Sequence, residues 1–236
     1  MFHKIEVLGN DFVFIPEDSS SEIDVIRICS RNRGVGADGI VFFDISDDSV
    51  SGRLVNSDGS AAGSMGNALS CLAMLYNSLT GKKSGKVFEE NAAHSFILDQ
   101  NSCEMNMGPV RPVSVGKDFF TIESGNRHRV YLREKIITHD IEIAGRRNPL
   151  WNIEHVVEKK GEFFVKVYET GVGFTSGCAT AAAAVVSVIK PQPGKRMYIA
   201  FDGGRMTAVI DREDNIILTS GPCYLFTGEL KGDWYV

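Results

Sequence analysis

Two positions frame the chemistry open to this chain. Cys178 stands directly before the run Ala179–Ile189 (ATAAAAVVSVI), and Met65 stands two residues before Asn67–Leu79 (NALSCLAMLYNSL). Both runs are rich in Ala, Leu, Met and Val and apolar nearly all round, the pattern of helices buried on every side. Gly81 stops the first and Pro191 the second. The turns leading into them, Gly63-Ser64-Met65-Gly66 and Ser176-Gly177-Cys178, are built of small residues. The first N–H groups of a buried helix need an acceptor, and the positive end of the helix dipole favours an anion there. Two such starts directed at one cleft would cradle a small carboxylate, with the backbone of Gly66, Asn67, Ala179 and Thr180 as donors. A thiol at a helix start is expected to have a lowered pKa and could serve as a general base near neutral pH. The alternative for Cys178 is a small apolar side chain that fits its turn.

The other cysteines, Cys29, Cys71, Cys103 and Cys223, fall within apolar segments and read as small buried thiols. Five cysteines at wide spacings, with no C-x-x-C, argue against a disulfide framework or a zinc site. The 236 residues are enough for one or two domains around a buried core. Hydrophobic content of 43% and charged content of 23% are those of an ordinary soluble globular protein. A net charge of -5 without a basic run argues against a nucleic-acid partner held by general electrostatics. No apolar run reaches the roughly 18 residues of a membrane helix, so no membrane partner is expected. The start MFHKIEVLGNDF lacks the regions of a signal peptide, and the expected compartment is the cytoplasm.

Strand composition dominates elsewhere. Lys4–Ile15 is apolar around Gly9-Asn10-Asp11, Gly39–Ile45 is a continuous apolar run, and Ser95–Leu98 with Cys103–Met107 reads as a hairpin. Phe119–Ile122, Arg129–Leu132 and Phe163–Tyr168 are further strands. Arg196–Phe201, Arg205–Asp211, Asn215–Leu218 and Cys223–Phe226 suggest an antiparallel meander. Strands, a small-residue turn and a buried helix thus occur twice. The expected fold is α/β (α+β), two similar halves, each a mixed, mostly antiparallel sheet around a central helix. Gly108–Pro112 marks the boundary.

The motifs resemble those of the diaminopimelate epimerase family along almost the whole chain. They are LGNDF (Leu8–Phe12), RGVGADG (Arg33–Gly39), NSDGS (Asn56–Ser60), MGNALSC (Met65–Cys71), SGNRH (Ser124–His128), Asn152 in WNIEHV, YETGVGFTSGCAT (Tyr168–Thr180) and GPCYLFTGE (Gly221–Glu229). The resemblance implies two α/β halves, 1–110 with a returning 226–236, and 111–225. It implies a small-molecule amino-acid substrate between them, its α-carboxylate on the two helix starts, and two cysteines flanking the α-carbon. It implies that neither pyridoxal phosphate nor a metal takes part, that a homodimer is possible, and a place in amino-acid, specifically lysine, biosynthesis. Carried over by position, Cys178 is the second catalytic cysteine. Gly66, Asn67, Ala179 and Thr180 form the carboxylate cradle. Asn10, Asn56, Asn126 and Asn152 are substrate contacts, Glu169 receives the substrate amine, and His128 is a motif histidine near the site. Inverting a stereocentre through a planar carbanion needs an acid or base on each face and stabilising dipoles in a dry site.

Three departures fall inside that pattern. Met65 replaces the first thiol, and a thioether carries no titrating proton. Thr170 replaces the arginine that follows the glutamate, removing a bidentate carboxylate clamp. Phe174 replaces a glutamate. A substrate without a distal carboxylate fits better than diaminopimelate. The expected function is therefore an isomerase acting at the α-carbon of an amino acid, by racemisation or epimerisation, with Cys178 as acid/base. A single-base proton-shift isomerase on a small carboxylate and a non-catalytic carboxylate- or amino-acid-binding protein stand as alternatives.

Overall fold

The first hairpin is closed by Leu8 and Gly9, whose φ angles of 56° and 74° are both positive. Positive φ at both central positions is the two-residue turn whose twist matches that of paired strands. It joins β1 (Phe2–Val7) to β2 (Asn10–Pro16) and sets Asn10 at the start of the second strand. The computed structural model describes residues 1–90, 92–231 and 234, the side chains of 20–22 excepted. The chain divides into two compact units, Met1–Met105 with Gly221–Val236, and Asn106–Ser220.

The first unit continues through α1 (Val25–Cys29), β3 (Gly39–Ser46), β4 (Ser49–Asn56), α2 (Ala68–Thr80), β5 (Ser84–Glu89), β6 (Ala92–Asp99) and β7 (Ser102–Asn106), and is completed by β17 (Cys223–Gly228). Its strand order is β17-β1-β2-β3-β4-β5-β6-β7. The pairs β2–β3 and β4–β5 are parallel and the rest antiparallel. The central helix α2 packs against strands from β17 to β6. It starts one residue later than expected, with Asn67 at its N-cap, and ends at Gly81 in the left-handed region (φ 75°). Leu69, Leu72, Leu75 and Tyr76 are fully buried, and the Tyr76 hydroxyl donates to the Asp47 carbonyl at 2.6 Å. A second apolar cluster, including Val13, Ile15, Ile28, Cys29 and Ile40, gathers α1 with β2 and β3. Cys29 thus ends a short helix.

The second unit holds β8 (Pro112–Val115), β9 (Phe120–Ser124), β10 (Asn126–Leu132), α3 (Thr138–Arg147), β11 (Asn152–Lys159), β12 (Glu162–Glu169), β13 (Gly173–Thr175), α4 (Ala179–Ile189), β14 (Met197–Phe201), β15 (Gly204–Ile210) and β16 (Ile216–Ser220). Its strand order is β8-β9-β10-β11-β12-β14-β15-β16, with β13 also on β12. Here β10–β11 and β12–β14 are the parallel pairs. Both units therefore share one sequence of pairings: two antiparallel, one parallel, one antiparallel, one parallel, two antiparallel. In each, one helix bridges the first parallel pair (α1, α3) and the buried helix bridges the second (α2, α4). The mixed α/β fold and the doubled helix-in-sheet pattern follow the sequence reading.

Helix α4 is buried from Ala179 to Ser187, its alanines admitting strands closely on all sides. Lys190, in the left-handed region (φ 47°), caps it ahead of Pro191. Helix α3 lies directly on β12: a Cβ at Gly145 would come within 2.3 Å of the Tyr168 ring.

Two expectations need correction. The C-terminal meander has three strands, β14 to β16, because Cys223–Gly228 pairs antiparallel with β1 instead. Cys223 is exposed there, at the first residue of β17, whereas the other four cysteines are buried.

One buried histidine makes the second unit acid-sensitive. His155 is 4% exposed, tilts against the Tyr131 ring at 5.3 Å, and has no partner for Nδ1 among the described residues. Burial, then the charge of Arg133, brings its pKa down to about 4. A depressed histidine pKa contributes stability that is present above pH 6.5 and lost as pH falls from there towards 4. His155→Phe should therefore flatten the acid limb, with a difference on the order of 2 kcal/mol between pH 7 and pH 4.5. Denaturant unfolding of both proteins at the two pH values checks this.

Candidate active site

In the second unit the sequence breaks from β13 into α4 through Ser176-Gly177-Cys178. Cys178 takes extended backbone angles (φ -147°, ψ 122°), and its side chain caps the helix by accepting from the Ala181 N–H at 3.5 Å. The Sγ is 3.2 Å from Thr180 Oγ1, and both residues are buried. The Cys178 carbonyl accepts from Ala182 N at 2.9 Å. Of the expected cradle, Ala179 and Thr180 are thus the first two residues of α4, adjoining the thiol.

The expected lowering of the thiol pKa is not what the surroundings produce. Burial, then the charge of Glu169, pushes the Cys178 thiol well above its ordinary range, outweighing the Thr180 hydroxyl and the Ala181 N–H. Helix position alone acts on the thiolate through one N–H and a partial dipole. Desolvation and a neighbouring carboxylate both oppose the charge and are larger. At rest Cys178 is a thiol, held against the Thr180 hydroxyl and under the charge of Glu169.

Glu169 closes β12, half-buried, and also accepts a hydrogen bond from the Thr175 hydroxyl of β13. Burial pushes its carboxyl up, against the hydrogen bonds from Thr175 and Cys178. Asn152 is buried at the start of β11, and its Oδ1 accepts from the Thr170 N–H at 2.8 Å, fixing the residue after Glu169. Thr170 itself is exposed. Phe174 packs edge-on against Tyr168 at 5.2 Å, so an aromatic side chain stands where the family pattern has an acidic one.

The parallel register sets His128 opposite Asn152 and Val130 opposite Glu154. All four therefore point to the buried face. His128 Nδ1 and Glu154 Oε1 lie 2.6 Å apart, both side chains fully buried. Burial raises the Glu154 carboxyl, opposed by His128. His128 Nε2 and Glu154 Oε2 have no partner among the described residues. Asn126 begins β10 on the other side of Gly125 from Ser124. Sequence reasoning missed Glu154 and Thr175. Period-2 counting from Asn152 along β11 would have put Glu154 on the same face as His128 once the parallel pairing was known.

In the first unit, Met65 is 3% exposed. A Cβ at Gly52 would come within 3.2 Å of its sulfur and 2.7 Å of Leu72 Cδ2, so the thioether packs over β4 beside α2. The Met65 N–H donates to Glu89 Oε2 at 2.7 Å, and the Ser64 hydroxyl lies 3.2 Å from both Glu89 oxygens. Gly66 has positive φ (47°) and its N–H reaches Ser64 Oγ at 3.4 Å. Asn67 Nδ2 donates to Asn10 Oδ1 at 3.4 Å, and Asn10 Nδ2 donates to Asp38 Oδ2 at 2.5 Å. Arg31 spans Asp11 and Asp38, and buried Lys4 pairs with Asp11 at 2.7 Å. Opposed by burial, the bonds from Arg31 and Lys4 hold Asp11 at about 2. Asn56 ends β4 and donates to Ser60 Oγ at 3.0 Å. The first unit thus gathers Asn10, Asn67, Gly66 and Met65 around the start of α2. The second gathers Cys178, Thr180 and Glu169 around the start of α4, with Asn152 anchoring the residue after Glu169.

No protein-family model matches the chain. Among curated relatives, the diaminopimelate epimerase of Carboxydothermus hydrogenoformans is 30% identical over 224 residues, spanning 78% of this chain and 82% of that one. The chain belongs to the diaminopimelate epimerase family. The diaminopimelate epimerase of Rippkaea orientalis is 29% identical over 281 residues, with 96% of this chain and 97% of that one covered. Among solved structures, a predicted epimerase from Pseudomonas aeruginosa matches with a TM-score of 0.74 at 12% identity, over 97% of this chain and 98% of that one, a likeness of fold. As a member of the diaminopimelate epimerase family the chain is an isomerase. Within that family it carries methionine at position 65 and threonine at position 170.

Proposed function

We propose that this protein is a cofactor-independent isomerase that acts at the α-carbon of an amino acid, with Cys178 as its acid/base thiol. The observation that carries this is the buried Cys178 at the start of α4, its sulfur 3.2 Å from the Thr180 hydroxyl and under the charge of Glu169. A substrate ammonium received by Glu169 would neutralise the charge that opposes thiolate formation. The S–H bond would then break with its proton passing to solvent water, and the thiolate would take the α-proton. The C–H pair remains on the α-carbon as a carbanion conjugated with the carboxylate, whose charge the α4 start stabilises. Amide dipoles fixed by folding do this without reorganising, and burial keeps water from competing.

Thr170 and Phe174 bear on the substrate. Without a guanidinium after Glu169 a distal carboxylate loses its bidentate partner, and the Tyr168–Phe174 pair offers apolar surface instead. The preferred substrate is an amino acid with a small or apolar side chain. A chiral assay of an amino-acid panel that includes LL-diaminopimelate tests this. Inversion of a monocarboxylic amino acid in preference to diaminopimelate is the expected result. Preference for diaminopimelate would overturn the specificity, and inversion of none would overturn the reaction.

Met65 favours a second reading, a proton-shift isomerase that uses Cys178 on one face alone. Met65→Cys separates the two. Adding a titrating thiol should raise inversion about tenfold if a second acid/base limits turnover. Unchanged inversion in this variant would support the single-base reading.

A further inference from the structure

We propose that Glu154 is a positioning residue for the chemistry at Cys178: it fixes the His128 ring so that the free nitrogen, Nε2, carries the thiol proton out towards water. This deepens the α-carbon reading and rests on it. In that reading a proton leaves a buried sulfur for solvent, and the passage needs a carrier.

The pair and the thiol belong to one unit. The parallel register sets His128 beside Asn152 and Val130 beside Glu154. The antiparallel register of β11 with β12 sets Ile153 opposite Tyr168 and Glu154 opposite Val167, which brings Asn152 beside Glu169. His128, Asn152 and Glu169 thus form one row across three strands. Val130, Glu154 and Val167 form the next row on the same face. Val167 clusters with Cys178 and Ala181, and α4 packs on β10 and β11. Glu154 therefore stands beside a side chain that packs against the thiol. Its charge acts on Cys178, and the charge of His128 acts on Glu169.

His128 Nδ1 and Glu154 Oε1 lie 2.6 Å apart, both side chains fully buried. Nε2 and Oε2 have no partner among the described residues. A pair kept for stability alone would not leave two buried polar atoms bare, because each loses its hydration without a return. Nor does the row call for charge. Its other members are valines, and an apolar residue in place of a buried ion pair is often no less stable. With the Nδ1–H donating to Glu154, Nε2 of the neutral ring is an open acceptor.

When the amino acid binds, the Cys178 S–H bond breaks as a His128 Nε2–H bond forms. The sulfur keeps the bonding pair as thiolate, and the Glu154 carboxylate holds the imidazolium. Nε2 then gives the proton to water, and the ring is neutral again. The same route in reverse brings deuterium from D2O to the sulfur. Exchange of the α-proton with solvent therefore depends on it.

The first measurement needs no substrate. Nitrogen-15 NMR of the His128 ring at pH 8 to 9, assigned through its backbone resonance, should show Nδ1 protonated and Nε2 bare. A proton on Nε2 overturns the proposal. The second follows α-proton exchange in D2O with an amino acid that the wild-type protein exchanges. Glu154→Gln keeps an acceptor for the Nδ1–H but holds no charge against the imidazolium. It should lower kcat for exchange about 10²-fold and leave KM within about twofold. Glu154→Asp keeps the carboxylate and should recover part of that loss. His128→Gln combined with Glu154→Gln should lose no more than His128→Gln alone, because Glu154 acts through the ring, whereas independent structural losses would multiply. Wild-type kcat in Glu154→Gln, or multiplied losses in the double variant, overturns the proposal. Should Glu154→Gln fail to fold by circular dichroism, the ring spectrum and His128→Gln decide, and wild-type exchange in His128→Gln overturns it. A wild-type protein that exchanges no amino acid overturns the α-carbon reading and this carrier together. Wild-type exchange with an unaffected Glu154→Gln overturns the carrier alone.

Discussion

Cys178→Ser should reduce α-proton exchange by on the order of 10³-fold while leaving the fold in place. The two halves of that expectation have different causes. The helix cap survives because serine is among the preferred N-cap residues and its hydroxyl can accept the Ala181 N–H as the sulfur does. Thr180 keeps a hydrogen-bonding neighbour, and the volume removed at a residue 5% exposed is small. The chemistry does not survive, because an alkyl hydroxyl cannot ionise near neutral pH even with a positive charge beside it. Thermal unfolding within a few degrees of wild type, together with lost exchange, is the expected pair of results. A serine variant that exchanges at the wild-type rate would remove Cys178 from the mechanism.

Glu169→Gln carries the second large effect, and it has two components of opposite direction. Binding of an amino acid should weaken by roughly 10- to 100-fold, because a charge-assisted hydrogen bond to the ammonium becomes a neutral one. The free thiol, however, should become more acidic. Burial and then the Glu169 charge hold Cys178 well above the ordinary thiol range. Glutamine removes the second cause and leaves the first. At any pH between the titrations of Glu169 and of the thiol, the variant therefore contains more thiolate. Alkylation of the buried Cys178 by iodoacetamide, followed peptide by peptide because the exposed Cys223 reacts as well, should be faster in Glu169→Gln at pH 8 to 9, while kcat/KM falls. Slower alkylation would mean that the Glu169 carboxylate assists thiolate formation instead of opposing it.

The parts of the fold that were legible in the sequence are those with local causes. The run ATAAAAVVSVI forms α4 over the predicted span, and NALSCLAMLYNSL forms α2 within one residue, because uniform apolarity and helix-stopping residues are properties of a short window. Cys178 and Thr180 lie together for the same reason, being two residues apart on a cap. Helix α3 was not legible: THDIEIAGRR buries only Ile141 and Gly145 and depends on the Tyr168 ring for its seat. Parallel pairing was not legible either, since β10 and β11 meet across α3, and with it went the His128–Glu154 contact. The direction of the Cys178 pKa failed for a related reason. A helix start can be recognised in sequence, but the depth of burial and the approach of Glu169 are set by how β12 and β13 pair and by the strands packed around α4. The charges that decide a pKa are assembled by tertiary structure, whereas the motif that suggests one is not.

Exchange of an α-proton by Cys178 is the step on which the proposed function most directly depends. Wild-type protein and Cys178→Ser, each in D2O without added pyridoxal phosphate, would be given a panel of L-amino acids and followed by proton NMR at the α-position. Loss of the α-proton signal of at least one amino acid with wild type, and its persistence with Cys178→Ser, is the predicted result. Persistence of every α-proton signal with wild type, or equal loss with both proteins, would contradict it.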